Sequence, residues 1–129
     1  MVTALNAFSG FSVNDIEAAR AFYGETLGLD VRSNPMGALD LHVGGGSPVF
    51  IYPKEDHVPA TFTILNLIVA DIGAAVDELV AAGVVFERYD SMPGVQDERG
   101  IMRGKAANQG PDIAWFTDPA GNVLSLIED

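Results

Sequence analysis

Two histidines and no cysteine set the chemical repertoire of this chain. His42 lies in LDLHVGG, with Asp40 just before it at strand spacing. Alternation on a strand puts both side chains on one face. There a carboxylate could orient an imidazole acting as general base, or the two could form half of a metal site. A solvated strand face is the plainer reading of the same pair. His57 falls in the polar stretch PKEDHVP and is expected to be exposed, without a chemical role. The absence of cysteine excludes disulfides, thiolate-bound zinc and thiol nucleophiles. Gly44-Gly45-Gly46 is no phosphate loop, because no Lys-Ser/Thr follows and no helix begins there.

The elements that must position these residues are legible in outline. Residues 5–13 predict a first strand. Asp15 suits a helix N-cap, where its carboxylate accepts from free amides at the positive end of the helix dipole. Ile16, Ala19, Tyr23 and Leu27 recur at helical spacing, and Gly28 suits the C-cap. Strands are expected at 31–33, 39–43 and 49–52, with the glycine triplet as a hairpin turn. Residues 61–69 predict a strand, Asp71 caps a helix over 72–82, and strands follow at 84–89, 113–117 and 123–127. DPAGN joins the last two as a turn. Residues 90–111 are Gly-rich and without periodicity. With Asp97, Glu98, Arg99, Arg103 and Lys105 they read as a mobile loop or as a lid over a cavity.

One pattern occurs twice. FSVNDIEAARAFY begins at Phe11 and LIVADIGAAVDEL at Leu67. At one constant offset Val13 answers Val69, Asp15 answers Asp71 and Ile16 answers Ile72. Such a repeat means one supersecondary unit used twice. The expected fold is α+β, with two βαβββ modules forming a curved mixed sheet around a central cavity. Module 1 spans about 1–53, a connector 54–60 and module 2 about 61–129, all within one domain.

The chain has 129 residues, 48% of them hydrophobic, so a packed core is expected rather than disorder. It carries 18 acidic against 7 basic side chains, a net charge of −11. That balance repels phosphate backbones and anionic bilayers, so neither nucleic acid nor membrane is an expected partner. It is compatible with a cationic ligand. MVTALNAFSG lacks the basic and apolar regions of a signal peptide, which makes the cytoplasm the expected compartment.

Three segments carry a resemblance: SVNDIEAARAFYGETLGLDV (12–31), VADIGAAVDELVAAGVVFE (69–87) and AWFTDPAGNVLSLIED (114–129). Together they make the chain similar to the vicinal oxygen chelate superfamily of glyoxalases, bleomycin resistance proteins and extradiol dioxygenases. The resemblance implies two βαβββ modules and, in the enzymes, one divalent metal held by His and Glu from the first and last strand of each module. Here those positions are Phe8, Phe50, Ile64 and Ser125, none a usual metal ligand. Their neighbours offer no substitute, and Glu128 falls on the strand face opposite Ser125. No metal and no other cofactor is therefore expected.

Alternation adds Asn6, Ser12, Tyr52 and Asn66 to the face of those four positions. Asn6, Phe8, Phe50, Tyr52, Ile64, Asn66 and Ser125 are the candidate cavity residues, apolar with a few hydrogen-bonding groups, as small-molecule sites usually are. Catalytic residues are not identified. Glu87, Arg88, Tyr89 and Asp90 read as a solvated strand end. Of Trp115 and Phe116, one should face the core and the other the cavity or a partner. The favoured function is metal-free binding of a small apolar or aromatic, possibly cationic, molecule. The alternatives are a lyase, isomerase or dioxygenase with an atypical metal site, and a regulatory module with a closed pocket. A homodimer is expected by resemblance alone.

Overall fold

The computed structural model describes residues 1–89 and 96–128. Asp90, with the start of the expected 90–111 loop, lies outside the described residues. The chain divides into two compact units, Met1–Pro59 and Ala60–Asp129. Each is a βαβββ unit with one four-stranded mixed sheet, so the α+β reading with two such modules holds.

The first unit runs β1 (Gly10–Val13), α1 (Ile16–Ala21) closed by a π-helical turn over Phe22–Thr26, β2 (Asp30–Ser33), β3 (Leu39–His42) and β4 (Val49–Pro53). Its sheet order is β1-β4-β3-β2, with β1 and β4 parallel. One face buries Phe11, Val13, Leu39, Leu41 and Ile51. Beneath it, Tyr23 is fully buried, its ring centroid 5.9 Å from that of Phe11 and 5.2 Å from that of Phe22. The helix begins where expected because the Asp15 carboxylate accepts from the Glu17 and Ala18 amides, each at 3.1 Å.

The second unit runs β5 (Thr63–Val69), α2 (Ile72–Ala81), β6 (Met102–Arg103), β7 (Asp112–Thr117) and β8 (Val123–Glu128), in sheet order β5-β8-β7-β6. Its core holds Leu67, Ile72, Val76, Ala114, Phe116, Leu124 and Leu126. The repeat is close at the caps. Asp71 has backbone angles of −139° and 101°, against −140° and 105° at Asp15, and accepts from the Ala74 amide at 3.0 Å. The strands share one register: Gly10 faces Phe50 as Asn66 faces Ser125. Among the described residues no helix is long and apolar enough to cross a membrane.

Three expectations are revised. The first strand begins at Gly10, and everything before it is exposed. Residues 84–89 form no strand. The Glu87 amide donates to the Trp115 carbonyl at 2.8 Å, but the Gln96 side chain takes the Glu87 carbonyl and the Tyr89 amide, at 3.1 and 2.8 Å. A side-chain amide thus stands where a neighbouring strand would pair, and the edge position goes to Met102–Arg103. Finally, the described part of the long loop, 96–111, is tied to its own unit. Asp97 accepts from the Arg99 and Ile101 amides and pairs with Arg103, which also reaches the buried Asp112 at 3.2 Å. Arg99 donates to the Gly73 carbonyl and to Asp77, each at 2.6 Å.

Candidate functional site

In the first unit, strand alternation leaves Ser12, Asp40, His42, Phe50 and Tyr52 on the face opposite the core. Phe50 is the centre of an aromatic row. Its ring stacks on Tyr52 with centroids 5.6 Å apart and an interplanar angle of 23°. Phe8 packs against it in a T-shaped arrangement at 6.3 Å and 75°. Both geometries are favourable for aromatic quadrupoles. Phe8 nonetheless stays 69% exposed, so the row ends in an open ring.

A cavity of about 440 Å³ lies against this row. Phe8, Met36, Pro48 and Phe50 supply its apolar wall, and Asn6, Asn34, Asp40 and Ser47 its polar groups. Two turns place them. The Asn34 side-chain oxygen accepts from the Met36 and Ala38 amides and folds the turn that carries Met36. The Asn6 side-chain oxygen accepts from the Ala7 amide at 2.8 Å and the Ser47 hydroxyl at 3.4 Å.

Of the seven expected cavity residues, Asn6, Phe8 and Phe50 line this cavity, and Tyr52 stacks behind it. Asn34, Met36, Ser47 and Pro48 were not singled out in the sequence. NPMG and the GGGSP turn gave a signal for turns, not for a wall.

The other three lie in the second unit. Ser125 is fully buried, and its hydroxyl donates to the Asn66 side-chain oxygen at 2.6 Å. Ile64 sits at a register shift of β5: Thr63 pairs with Val123 and Leu65 with Leu124, so the partner strand passes over Ile64. The bulge brings Thr63 to accept from the Trp115 indole at 3.2 Å. Trp115 stays half-buried with Tyr89 edge-on at 5.4 Å, while Phe116 is the one that enters the core. The Tyr89 hydroxyl is pushed up by burial and by the Glu87 charge.

The titratable candidates separate. Asp40 and His42 share a face, but among the described residues no hydrogen bond joins them. Arg32, opposite Asp40, turns instead to Asp30 at 2.8 and 3.2 Å, and this bonding holds the Asp30 carboxyl below its ordinary range. His57, expected exposed, is half-buried, with Nδ1 2.6 Å from Ser12 Oγ. The turn at Lys54–His57 folds it back: its amide donates to the Lys54 carbonyl. Glu128 accepts from the Ile72 amide and pairs with Lys105, each at 2.9 Å, and so serves the start of α2.

A divalent metal does not fit the positions at which the resemblance would put one. Phe8, Phe50 and Ile64 have no donor atoms, and the Ser125 hydroxyl is committed to Asn66. Among the described residues no three His, Asp or Glu side chains converge as a metal site.

The comparisons with known proteins agree with this architecture. The family model for the Glyoxalase/Bleomycin resistance protein/Dioxygenase superfamily matches residues 5–126. Among solved structures, TnmS3, an antibiotic binding protein from Streptomyces sp. CB03234, is similar at 23% identity and a TM-score of 0.68, over 99% of this chain and 98% of its own. A member of the same superfamily from Sphaerobacter thermophilus shares 26% identity, a TM-score of 0.67 and 98% of each chain. A glyoxalase family protein from Bacillus anthracis gives 21%, 0.68, 100% and 99%. A search of curated protein sequences gives no match. The chain belongs to the Glyoxalase/Bleomycin resistance protein/Dioxygenase superfamily.

Proposed function

Taking that membership as premise, we propose that this chain binds a small, largely apolar or aromatic molecule on the open face of its first sheet, without a metal. The observation that carries the reading is the row Phe8–Phe50–Tyr52 beside the 440 Å³ cavity. Its volume lies in the range of drug-sized ligand sites. An exposed phenylalanine facing such a cavity gains apolar contact when a flat ligand covers it. The structural likeness to an antibiotic binding protein supports the same reading. Asn6 and Ser47 supply hydrogen bonds at the rim. In the second unit the Asn66–Ser125 pair is proposed as structural. We also propose a cytoplasmic homodimer, on the resemblance alone.

The test is calorimetric titration of metal-stripped protein with flat aromatic probes such as anthracene-9-methanol. At a hundredfold excess over its dissociation constant a bound probe stabilises the fold by about 2.7 kcal/mol. Phe50→Ala should weaken binding about tenfold or more. Binding that appears only after adding nickel, zinc, manganese or iron(II) would overturn the metal-free reading.

A further inference from the structure

We infer that the ligand of the first unit's cavity is an organic cation, an ammonium or amidinium on an apolar body, and that Asp40 is the residue that selects it. The inference rests on the binding proposed above and adds the ligand's charge.

Among the described residues, Asp40 is the only charged side chain on the cavity wall. It is half-buried, and among the described residues its carboxylate has no ion pair and no hydrogen bond. The cation nearest in register, Arg32, is spent on Asp30 through two of its nitrogens. A partly desolvated carboxylate without a partner is costly. A cationic ligand removes that cost, whereas a neutral one adds to it by displacing water.

The aromatic wall favours the same occupant. Asp40 faces Phe50 directly in the antiparallel pair of β3 and β4. Side chains so paired stand about 5 Å apart at their β-carbons. A cation lodged there meets a carboxylate on one side and, on the other, an aromatic wall in which the exposed Phe8 ring offers its negative face. The chain's net charge of −11 raises the local concentration of any cation.

The cavity chemistry also decides what kind of cation. A bare metal ion needs several oxygen donors. The Asn34 side-chain oxygen is committed to the Met36 and Ala38 amides, and that of Asn6 to the Ala7 amide and the Ser47 hydroxyl. Of the lining side chains the Asp40 carboxylate and the Ser47 hydroxyl oxygen remain, too few for a metal ion. The cavity, at about 440 Å³, is also far larger than an ammonium group, so the charge must come with an apolar body against Met36, Pro48 and Phe50.

The experiment compares two three-ring probes, 9-aminoacridine, a cation at neutral pH, and neutral anthracene-9-methanol. Each is titrated by fluorescence into wild type, Asp40→Asn and Glu78→Gln. Glu78 lies on α2 and is not among the residues lining the cavity, so its variant removes one charge and leaves the lining unchanged. Circular dichroism checks folding, with Asp40→Ser as the replacement should Asn disturb the strand. We expect wild type to prefer the cation by about tenfold or more. Asp40→Asn should bring that preference close to parity by weakening the cation alone, and Glu78→Gln should leave it. Equal binding of both probes to wild type would overturn the inference while leaving the pocket reading intact. So would a preference that Asp40→Asn and Glu78→Gln reduce alike, which would assign it to net charge. Failure of both probes to bind would overturn the pocket reading, and the inference with it.

Discussion

Phe50 stands directly across the parallel β1–β4 pair from Gly10, and the absence of a side chain at Gly10 is what leaves its ring in place. A β-carbon at Gly10 would lie 3.0 Å from the Phe50 carbonyl oxygen and 3.3 Å from its β-carbon. The equivalent pair of the second unit is Asn66 and Ser125, where a side chain fills the space and bonds the hydroxyl beneath it. One register position thus carries an accessible aromatic in one unit and a sealed hydrogen bond in the other.

Gly10→Ala should therefore act on the row. The added methyl forces β1 and β4 apart locally, costing about 1–2 kcal/mol by urea unfolding. It should also weaken aromatic probes by displacing Phe50. Unchanged affinity alongside lowered stability would separate the row from the binding site.

Asn66→Ala leaves the fully buried Ser125 hydroxyl without its acceptor, at about 1–2 kcal/mol. Ser125→Ala alone should cost less, because Asn66 reaches solvent. The double variant should be no worse than Asn66→Ala. Additive losses in that cycle would show that the two side chains do not depend on each other.

Gly104 is pressed against backbone. A β-carbon there would sit 2.5 Å from the Pro111 carbonyl oxygen and 2.8 Å from that of Gly110. Backbone cannot swing away as a side-chain tip can, so Gly104→Ala should lower stability by about 2 kcal/mol or more. Amide exchange over 102–113 should rise with it. Wild-type stability would refute the close approach.

Acid should loosen the second unit. The amide of Ile72, then Lys105, hold the Glu128 carboxyl below its ordinary value. Burial raises Asp97, but the amides of Ile101 and Arg99 together with Arg103 outweigh it and lower the carboxyl. A carboxyl lowered in the folded state contributes stability above its unfolded pKa, and that stability is lost as pH falls through the folded value. Unfolding free energy should thus decline from about pH 5 downward. The decline should be shallower in Glu128→Gln. Identical pH slopes in wild type and variant would exclude Glu128 as a contributor.

The repeat of Asp15-Ile16 and Asp71-Ile72 was legible because it is local. A capping carboxylate, the strand before it and the apolar stripe after it lie within a few turns of chain. The seventh strand was legible for the same reason, since a short apolar run ending at the DPAGN turn shows up in a window of a few residues. The strand expected at 84–89 failed, because pairing depends on what lies alongside, and Gln96 supplied the partner atoms from a side chain. His57 was placed at the surface by its polar neighbours. Only a folded turn brings it back to Ser12.

By itself, then, the sequence determined the two βαβββ units and their caps. These follow from residue type and short-range spacing. Tertiary structure alone decided how the candidate side chains are used: Phe50 open over Gly10, Ser125 bonded to Asn66, Ile64 set aside in a bulge, and Asp40 without an ion pair among the described residues while Arg32 turns to Asp30. Cross-strand register and the choice among competing charge partners bring together residues far apart in the chain, and no local pattern of residues encodes them.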